Sequence, residues 1–274
     1  MNNAVATTNN KPKFSVALQT DAYKKLINQT LGDPDRAKRF IASISSAVAT
    51  NPALQECNAG TILSGALLGE ALNLSPSPVL GQYYLVPFKN TSKNDTEAVF
   101  QLGYKGYIQL AIRSGQYKKL NVLAIKEGEL INYDPLNEEI EVELIKDELK
   151  REKTPTIGYY AMFEYVNGFR KAIYWSKEKM EQHALTYSKG YKAKKGYTFW
   201  EKDFDSMAYK TMLRQLISKW GVMSIEMQDA YTKDMSVMQT NGDFDYVDNP
   251  DVEPEIISAE EIKEPVKKKL DEIE

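Results

Sequence analysis

The amino-acid sequence predicts an α+β fold, in which a mostly antiparallel β-sheet is backed by helices, because helical and strand-like patterns occupy separate stretches. Helical periodicity covers residues 21–75, strand-like runs dominate residues 81–175, and helices return from residue 176 onward. An Asn167-Gly168 pair between two strand-like runs is typical of the tight turn of an antiparallel hairpin. With 274 residues, 42% of them hydrophobic, the chain has enough apolar material for a sizeable core.

The individual elements are expected from local periodicity and from helix-end signals. Asp33-Pro34 supplies an N-cap and a first-turn proline for the second helix. Helices are expected at about residues 21–31, 34–49, 59–73, 103–115, 176–187, 201–220 and 224–238. Strands are expected at about residues 82–88, 98–102, 118–126, 139–146, 156–166 and 169–175. The first two strands flank a polar tip, Lys89–Glu97, as in a hairpin with a long turn.

Charge divides the chain into a basic body and an acidic tail. From Ile225 to the end there are 5 lysines and 15 acidic residues, a net charge of −10, which leaves +7 for the residues before it. This asymmetry is typical of a nucleic-acid binder with a separate partner-binding segment, although acidic tails also serve solubility alone. The expected organisation is a flexible N-terminal arm at 1–20, a core at 21–239 (a helical part 21–75, a sheet-and-helix part 81–221, a further helix about 224–238) and an acidic tail at 240–274, flexible or partner-binding.

The segment GYKGYIQLAIRSG places Lys105, Gln109 and Arg113 at intervals of four residues. Positions i, i+4 and i+8 lie near one face of a helix, so two cations and an amide form a row there, with Tyr104 at its start. Such a row suits a regularly spaced polyanion such as a phosphate backbone. A solvated helix face is the alternative interpretation.

The segment from Gln182 to Trp200 contains no acidic residue and combines cations with aromatic rings. Its lysines are Lys189, Lys192, Lys194 and Lys195, and its aromatic residues are Tyr187, Tyr191, Tyr197, Phe199 and Trp200. Cations for phosphates and rings for bases are the two ingredients of single-strand binding. Gly190 and Gly196 favour a mobile loop that orders on a ligand, whereas an exposed lysine loop anchored by its aromatic residues is the alternative.

The helix that follows carries Lys210 and Arg214 four residues apart, on a different face from its apolar stripe. No acidic residue lies four positions from either cation, so both are candidate phosphate contacts. An ordinary surface helix is the alternative interpretation.

Several classes of protein lack support in this sequence. Cys57 is the single cysteine, which rules out an intrachain disulfide and a multi-cysteine metal site. His183 is the single histidine, so Ser–His–Asp chemistry and a histidine metal site have no support. There is no G-x-x-x-x-G-K-[ST] motif, so neither ATP nor another cofactor is expected to be required. No apolar run suits a bilayer span or a signal peptide, so a cytoplasmic protein without membrane contact is expected.

Several blocks of sequence resemble the RecT family of phage and prophage single-strand DNA annealing proteins. These blocks are ALNLSP (71–76), GQYYLVPF (81–88), QLGYKGYIQLAIRSGQY (101–117), GYYAMF (158–163), and Trp200 with DFDSMAYKTMLRQLISKWG (203–221). They occur in order between about residue 50 and residue 221. The resemblance places Lys105 and Arg113 in one family block and Lys210 and Arg214 in another, and it matches Ser188, Lys189 and Trp200 to the region leading into the second.

The resemblance implies ATP-independent annealing of complementary strands during phage-type homologous recombination in a bacterial host. It implies binding to single-stranded DNA and to the duplex annealing intermediate by a homo-oligomeric ring or helical filament. It further implies a phage exonuclease and the host single-strand-binding protein as partners. On physical grounds, annealing requires phosphates to be held while base edges stay free, which suits lysine and arginine side chains.

Two rival functions are considered. A metal-dependent nuclease would use a carboxylate with an E-x-K motif, which Asp134 with Glu148-Leu149-Lys150 matches, but short motifs of this kind arise by chance in charged chains. An RNA- or DNA-binding module without annealing activity is suggested by Gly103-Tyr104-Lys105-Gly106, which fits the GxxG loop of KH domains. That loop should join two helices, whereas here it is expected to join a strand to a helix.

Overall fold

The structure is a computed structural model, and it describes residues 13–90, 93–196 and 198–246. It confirms the α+β fold with antiparallel sheets. The helices are α1 (Phe14–Ala17), α2 (Asp21–Leu31), α3 (Pro34–Thr50), α4 (Ala59–Ala71), α5 (Tyr104–Arg113), α6 (Glu148–Lys153), α7 (Lys177–Tyr187), α8 (Lys189–Lys192), α9 (Phe199–Lys202), α10 (Phe204–Trp220) and α11 (Ile225–Lys233), with a 3₁₀ turn at Pro52–Glu56. Within the described ranges, none of these helices has the length and apolar character needed to cross a membrane.

The strands form two main sheets and one separate hairpin. They are β1 (Tyr83–Asn90), β2 (Asp95–Leu102), β3 (Tyr117–Lys126), β4 (Leu130–Asp134), β5 (Glu139–Val142), β6 (Thr156–Tyr165), β7 (Arg170–Ser176), β8 (Ser236–Met238) and β9 (Phe244–Tyr246). The first sheet has the order β1-β2-β8-β9, the second has the order β3-β6-β7, and β4 pairs with β5. Each of these pairings is antiparallel. The expected single sheet is therefore divided into two main sheets and a two-stranded hairpin.

Each main sheet packs against helices and has its own buried cluster. In the first cluster, Ile44 of α3 and Ile62 of α4 pack with Phe100 of β2. In the second, Phe163 of β6 packs with Met212 of α10. Helix α10 contributes to both clusters, because its buried residues point to both sides of the helix. The position of α10 between the two sheets fixes where its polar side chains lie.

The N-terminal helices begin where the sequence signals predict. The side chain of Asp33 accepts hydrogen bonds from the backbone N–H groups of Asp35 and Arg36, and so caps α3. The predicted arm at residues 1–20 is different: α1 lies within it, and Phe14 and Leu18 are 2% exposed in the first core. Their apolar side chains find a surface on the helical part, so residues 13–20 pack on the core, while residues 1–12 lie outside the described ranges.

The C-terminal part of the core also differs from the expected elements. The helix expected at about 224–238 ends at Lys233, and residues 236–238 form β8, because Val237 pairs with Val99 at the edge of β2 and becomes buried. The helix expected at 201–220 is two helices, since Asp203 accepts a hydrogen bond from the N–H of Ser206 and caps a new start. The predicted acidic tail at 240–274 is described only in part. Residues 240–246 are described and include β9, and residues 247–274 lie outside the described ranges.

A buried ion pair anchors α6, which is not among the elements expected from the sequence. Glu129, whose side chain is fully buried, accepts hydrogen bonds from Nε and Nη2 of Arg151 at 2.6 and 3.1 Å. The same carboxylate accepts from the N–H groups of Lys126 and Ile145. Arg151 also donates to the carbonyl oxygen of Ala124 at 2.7 Å. The charged run around α6 is thus held by one salt bridge with its hydrogen bonds satisfied.

Candidate nucleic-acid interface

Helix α5 presents the predicted row of polar side chains to the surface. Lys105, Gln109 and Arg113 are exposed, and Tyr104 is half-buried. The opposite face of the helix, which includes Tyr107 and other apolar residues, is buried in the first core. The structure therefore confirms that the polar row and the apolar residues lie on opposite faces of α5. Among the described residues, no carboxylate pairs with Lys105, whose Nζ lies 6.0 Å from the Tyr104 ring centroid.

Two glycines set the position of α5 against the start of β1. The N–H of Gly103 donates to the carbonyl oxygen of Gln82 at 2.9 Å. A Cβ at Gly103 would overlap the carbonyl oxygen of Gly81, and a Cβ at Gly106 would overlap that of Gln82. The glycines therefore allow close approach to the chain's own backbone. This loop joins a strand to a helix, so it has the topology that argues against a KH-type loop.

Arg113 holds the end of a neighbouring helix. Its guanidinium donates to the carbonyl oxygens of Leu72 at 2.7 Å and Asn73 at 3.1 Å. These carbonyls follow the last turn of α4 (Ala59–Ala71), where helix geometry leaves backbone acceptors without partners. A cation at this end also interacts favourably with the helix dipole. Arg113 thus combines an exposed position with a structural contact.

Lys210 and Arg214 share a buried carboxylate instead of standing free on the helix surface. Lys210 Nζ lies 3.0 Å from Asp234 Oδ1, and Arg214 Nη1 lies 2.8 Å from Asp234 Oδ2. The Asp234 side chain is fully buried, that of Lys210 is 7% exposed and that of Arg214 is 32% exposed. Both cations had been expected to be unpaired because no acid lies four residues away, and that expectation is wrong. The partner comes from the segment after α11, beyond the reach of helical spacing.

Asp234 also ties α10 to β2 and α5. It accepts the N–H of Leu102 at 2.8 Å and lies 3.4 Å from the hydroxyl of Tyr107, so four donors converge on one carboxylate. Burial raises the pKa of Tyr107, and the charge of Asp234 raises it further, so the phenol stays protonated. Arg214 lies over the ring of Tyr231, 4.1 Å from its centroid, which adds a cation–π contact. The cluster is a structural junction beside the α5 row.

The lysine segment contains one turn of helix where the sequence predicts a loop. Residues 189–192 form the single helical turn of α8, and the side chain of Ser188 accepts from the N–H of Tyr191 at its start. A Cβ at Gly190 would crowd the Thr198 methyl group, so this glycine serves packing. Lys189, Lys192, Lys194 and Lys195 are all exposed. Tyr197 lies outside the described ranges.

The tryptophan of this segment faces the core, whereas Tyr187 is exposed. Trp200 is 7% exposed and contacts the rings of Phe204 and Tyr191, with centroid distances of 5.1 and 6.2 Å. His183 also lies near the Trp200 ring. Burial lowers the pKa of His183, and the positive charge of Arg214 lowers it further. Trp200 therefore anchors the lysine segment to the second core. Its indole face is not available at the surface for stacking on a base.

A cavity of about 150 Å³ connects the start of α5 with α9 and α10. Its lining residues are Tyr84, Gln101, Leu102, Gly103, Tyr104, Phe199, Lys202, Asp203, Ser206, Met207 and Lys210. The ring centroids of Tyr84 and Phe199 are 5.4 Å apart, which brings β1 and α9 into contact. The cavity brings the start of α5 next to α9, which follows the lysine turn (residues 189–195) in the chain. Sequence reasoning gave no site role to Tyr84, Gln101, Lys202 or Asp234, whereas Phe199 was among the aromatic residues expected to contact bases.

The residues of the rival nuclease motif have other roles. Asp134 accepts hydrogen bonds from the N–H groups of Leu136 and Asn137 and so caps a turn. Glu148 and Lys150 lie on α6. Among the described residues, no group of three His, Cys, Asp or Glu side chains is arranged to hold a metal ion. Cys57 is buried in the first core.

Comparison with known proteins identifies the family. The sequence profile of the RecT family matches residues 38–249. The chain is 42% identical to the uncharacterized protein YqaK of Bacillus subtilis (strain 168) over 213 residues, which cover 78% of this chain and 69% of YqaK. It is 30% identical to the protein RecT of Escherichia coli (strain K12) over 201 residues, which cover 72% of this chain and 71% of that protein. The profile match includes the α5 row, the lysine segment and the Asp234 junction, and the chain belongs to the RecT family.

Proposed function

We propose that this protein binds single-stranded DNA and anneals complementary strands without ATP, acting as a homo-oligomer that holds phosphates and leaves bases free to pair. Membership of the RecT family supports a role in single-strand annealing during recombination. The observation that carries the finer proposal is the set of exposed cations on α5 and on the lysine turn. Within the described ranges, no carboxylate pairs with Lys105, Lys192, Lys194 or Lys195.

The two groups of cations have different parts in this proposal. Lys105, Lys192, Lys194 and Lys195 are exposed and have no carboxylate partner among the described residues, so phosphates reach them without an ion pair being broken. Arg214 has a partly exposed guanidinium, which is a further candidate for phosphate contact while it remains paired with Asp234. Lys210 is buried in the same pair, and its part is to hold the junction that positions α5 and α10. Gln109 lies between the cations of α5 and supplies a neutral hydrogen-bonding group to the backbone.

Annealing by this surface follows from charge neutralisation. Two complementary strands repel each other through their phosphates, and cations that hold one strand extended lower that repulsion. Contacts to phosphate carry no sequence information, so the bases remain available to a second strand. Repetition of the surface along an oligomer would extend the effect over many nucleotides. An exonuclease and the host single-strand-binding protein are the proposed partners, with the acidic C-terminal region as the docking segment.

Charge reversal tests the proposal. The variant Lys192→Glu/Lys195→Glu is compared with Lys24→Glu/Lys25→Glu, which makes the same change of charge on the exposed face of α2. Loss of two phosphate contacts should weaken the slope of log K against log salt by about 1.4 for single strands. The α2 variant should keep the wild-type slope. Equal slopes and equal ATP-free annealing rates for all three proteins would remove the lysine turn from the interface.

Experiments on the wild-type protein distinguish annealing from the alternative function, nucleic-acid binding without annealing. Wild-type protein that binds RNA and DNA oligonucleotides equally, and that leaves the pairing rate of complementary strands unchanged, would favour that alternative. Fast pairing of complementary DNA strands without ATP favours annealing. Electron microscopy after sequential addition of the two strands reports on the oligomer.

A further inference from the structure

The cavity between β1, α5 and α10 has walls suited to a flat ring. Tyr84 and Phe199 form one pair of rings, and Tyr104 lies against Tyr209 with a centroid distance of 5.6 Å. The thioether side chain of Met207 completes the apolar lining. At about 150 Å³, the space is of the size of one planar heterocycle and is too small for a nucleotide chain. Aromatic walls of this kind favour stacking with a π-system.

A buried amide faces this cavity without a strong hydrogen-bond partner. Gln101 is 5% exposed, and its Nε2 donates to the sulfur of Met207 at 3.6 Å. Within the described ranges this is the side chain's one hydrogen bond, and a thioether is a weak acceptor. A buried amide is costly to leave poorly bonded, so a ligand with a donor and an acceptor on one edge would satisfy it. Nucleobases carry such an edge.

One exposed lysine lines the cavity, and a second lies outside the lining but close to the wall residue Tyr84. Lys202 is exposed and lines the cavity, and Lys105 lies beside Gly81, where a Cβ would be 3.4 Å from Lys105 Cδ. Asp203 is also at the rim, but its carboxylate is engaged by the N–H and hydroxyl of Ser206 at 3.1 and 2.7 Å. The lysines at the cavity entrance would contact a phosphate, and the aromatic rings inside would stack on the base attached to it.

We propose that this cavity receives one unstacked base of the bound single strand in each subunit, stacked on the tyrosine walls and hydrogen-bonded to Gln101. The inference rests on the proposed single-strand binding and adds to it a fixed point on the strand. A glutamine amide can rotate to exchange its donor and acceptor, so the cavity accepts bases of different kinds. The captured base sets the register of the strand on the subunit, while the neighbouring bases stay free to pair.

The experiment compares the affinity of each protein for an oligodeoxynucleotide and for an abasic strand of the same length, over a range of salt. Two variants alter the cavity: Gln101→Met removes the amide with little change of volume, and Tyr84→Leu removes one wall. The matched control is Tyr133→Leu, a half-buried tyrosine on β4 outside the cavity. The melting temperature of each protein is measured alongside.

Wild-type protein and the Tyr133 variant should prefer the base-bearing strand by about tenfold, the scale of one base stacked on an aromatic side chain. Both cavity variants should lose most of that preference and keep the wild-type salt slope, because the phosphate contacts are unchanged. A preference equal to wild type in Gln101→Met would overturn the base-binding proposal, as would equal wild-type affinity for the two strands. Tyr84→Leu tests the same cavity independently by removing one of its walls. If its melting temperature shows that loss of the ring destabilises the protein, Gln101→Met alone decides the test. Absence of any salt-dependent binding by wild-type protein would instead overturn the proposed function.

Discussion

Lys210 and Asp234 are 24 positions apart in the chain and form a buried ion pair, with 3.0 Å between Nζ and Oδ1. The carboxylate is shared with Arg214 and with the N–H of Leu102, so it joins α10, β2 and the segment after α11. Buried charges are stable only when paired and hydrogen-bonded, and this carboxylate is both. The junction therefore links the position of the proposed interface to the stability of the core.

Replacement of Asp234 by asparagine should lower the free energy of unfolding by about 3 kcal/mol, because Lys210 and Arg214 would lose the buried carboxylate that they share. Chemical denaturation at pH 7 measures the change. The control is Asp229→Asn, which removes an exposed partner 3.6 Å from Lys233 and should cost less than about 0.5 kcal/mol. Equal stability of the two variants would show that the Asp234 junction contributes nothing beyond a surface pair.

Lys105 and Arg113 belong to one exposed row but should respond differently to substitution. Arg113→Met removes two donors from the carbonyls at the end of α4 and should lower stability by about 1 kcal/mol. Lys105→Met should change stability by less than about 0.5 kcal/mol, since it has no structural hydrogen bond among the described residues.

Both substitutions should weaken the salt dependence of single-strand binding by about 0.7 in slope. Thermal melting and binding titrations on the same preparations separate the two effects. Arg113→Met protein that melts with wild-type midpoint would contradict the capping role. A Lys105→Met slope equal to wild type would contradict its phosphate contact.

The sequence predicted those parts of the fold that local periodicity determines. Helices α2 and α3 begin and end within a residue or two of the expected positions, because each has an apolar face, and α3 also has a clear start signal at Asp33-Pro34. The exposed row on α5 was predicted for the same reason: positions four residues apart share a face of any helix. The expected turn at Asn167-Gly168 joins β6 to β7.

The remaining parts depend on contacts between distant residues. Strand β8 follows helix α11 without a break in composition, and pairing of Val237 with Val99 decides its conformation. The partner of Lys210 and Arg214 is supplied by the same distant segment. Trp200 had a residue type that suits base stacking, but its position in the second core follows from the fold. Local patterns carry no information on such contacts.

Glycine at positions 103 and 106 should contribute to stability, because a Cβ at either would overlap a backbone carbonyl oxygen of Gly81 or Gln82. Gly103→Ala and Gly106→Ala should each lower stability by about 2 kcal/mol or more, since neither backbone can move without displacing α5. The control is Gly115→Asn, at φ +68° with open space around it, where asparagine tolerates the left-handed conformation. Thermal melting orders the three variants. An alanine variant as stable as the asparagine variant would show that α5 can shift away from β1.

The stability of the protein in acid should depend on Glu129. Burial raises its pKa, but the hydrogen bonds from Arg151 and from the N–H groups of Lys126 and Ile145 lower it further, so the net shift is downward. A carboxyl with a depressed folded-state pKa stabilises the protein above its unfolded-state pKa, near 4.5, and that contribution is lost as the pH falls toward the folded-state value. Glu129→Gln should therefore be less stable than wild type at pH 7, and the difference should shrink steadily below about pH 5. Denaturation curves measured at intervals between pH 7 and pH 3 give the stability difference at pH 7 and its decrease in acid.

The Arg151→Met variant tests the same ion pair from the other side. It leaves the carboxylate of Glu129 buried without its cation, so the loss of stability at pH 7 should become smaller as Glu129 is protonated. A difference between wild type and Glu129→Gln that stays constant over this range would mean that the pKa of Glu129 is the same in the folded and unfolded states.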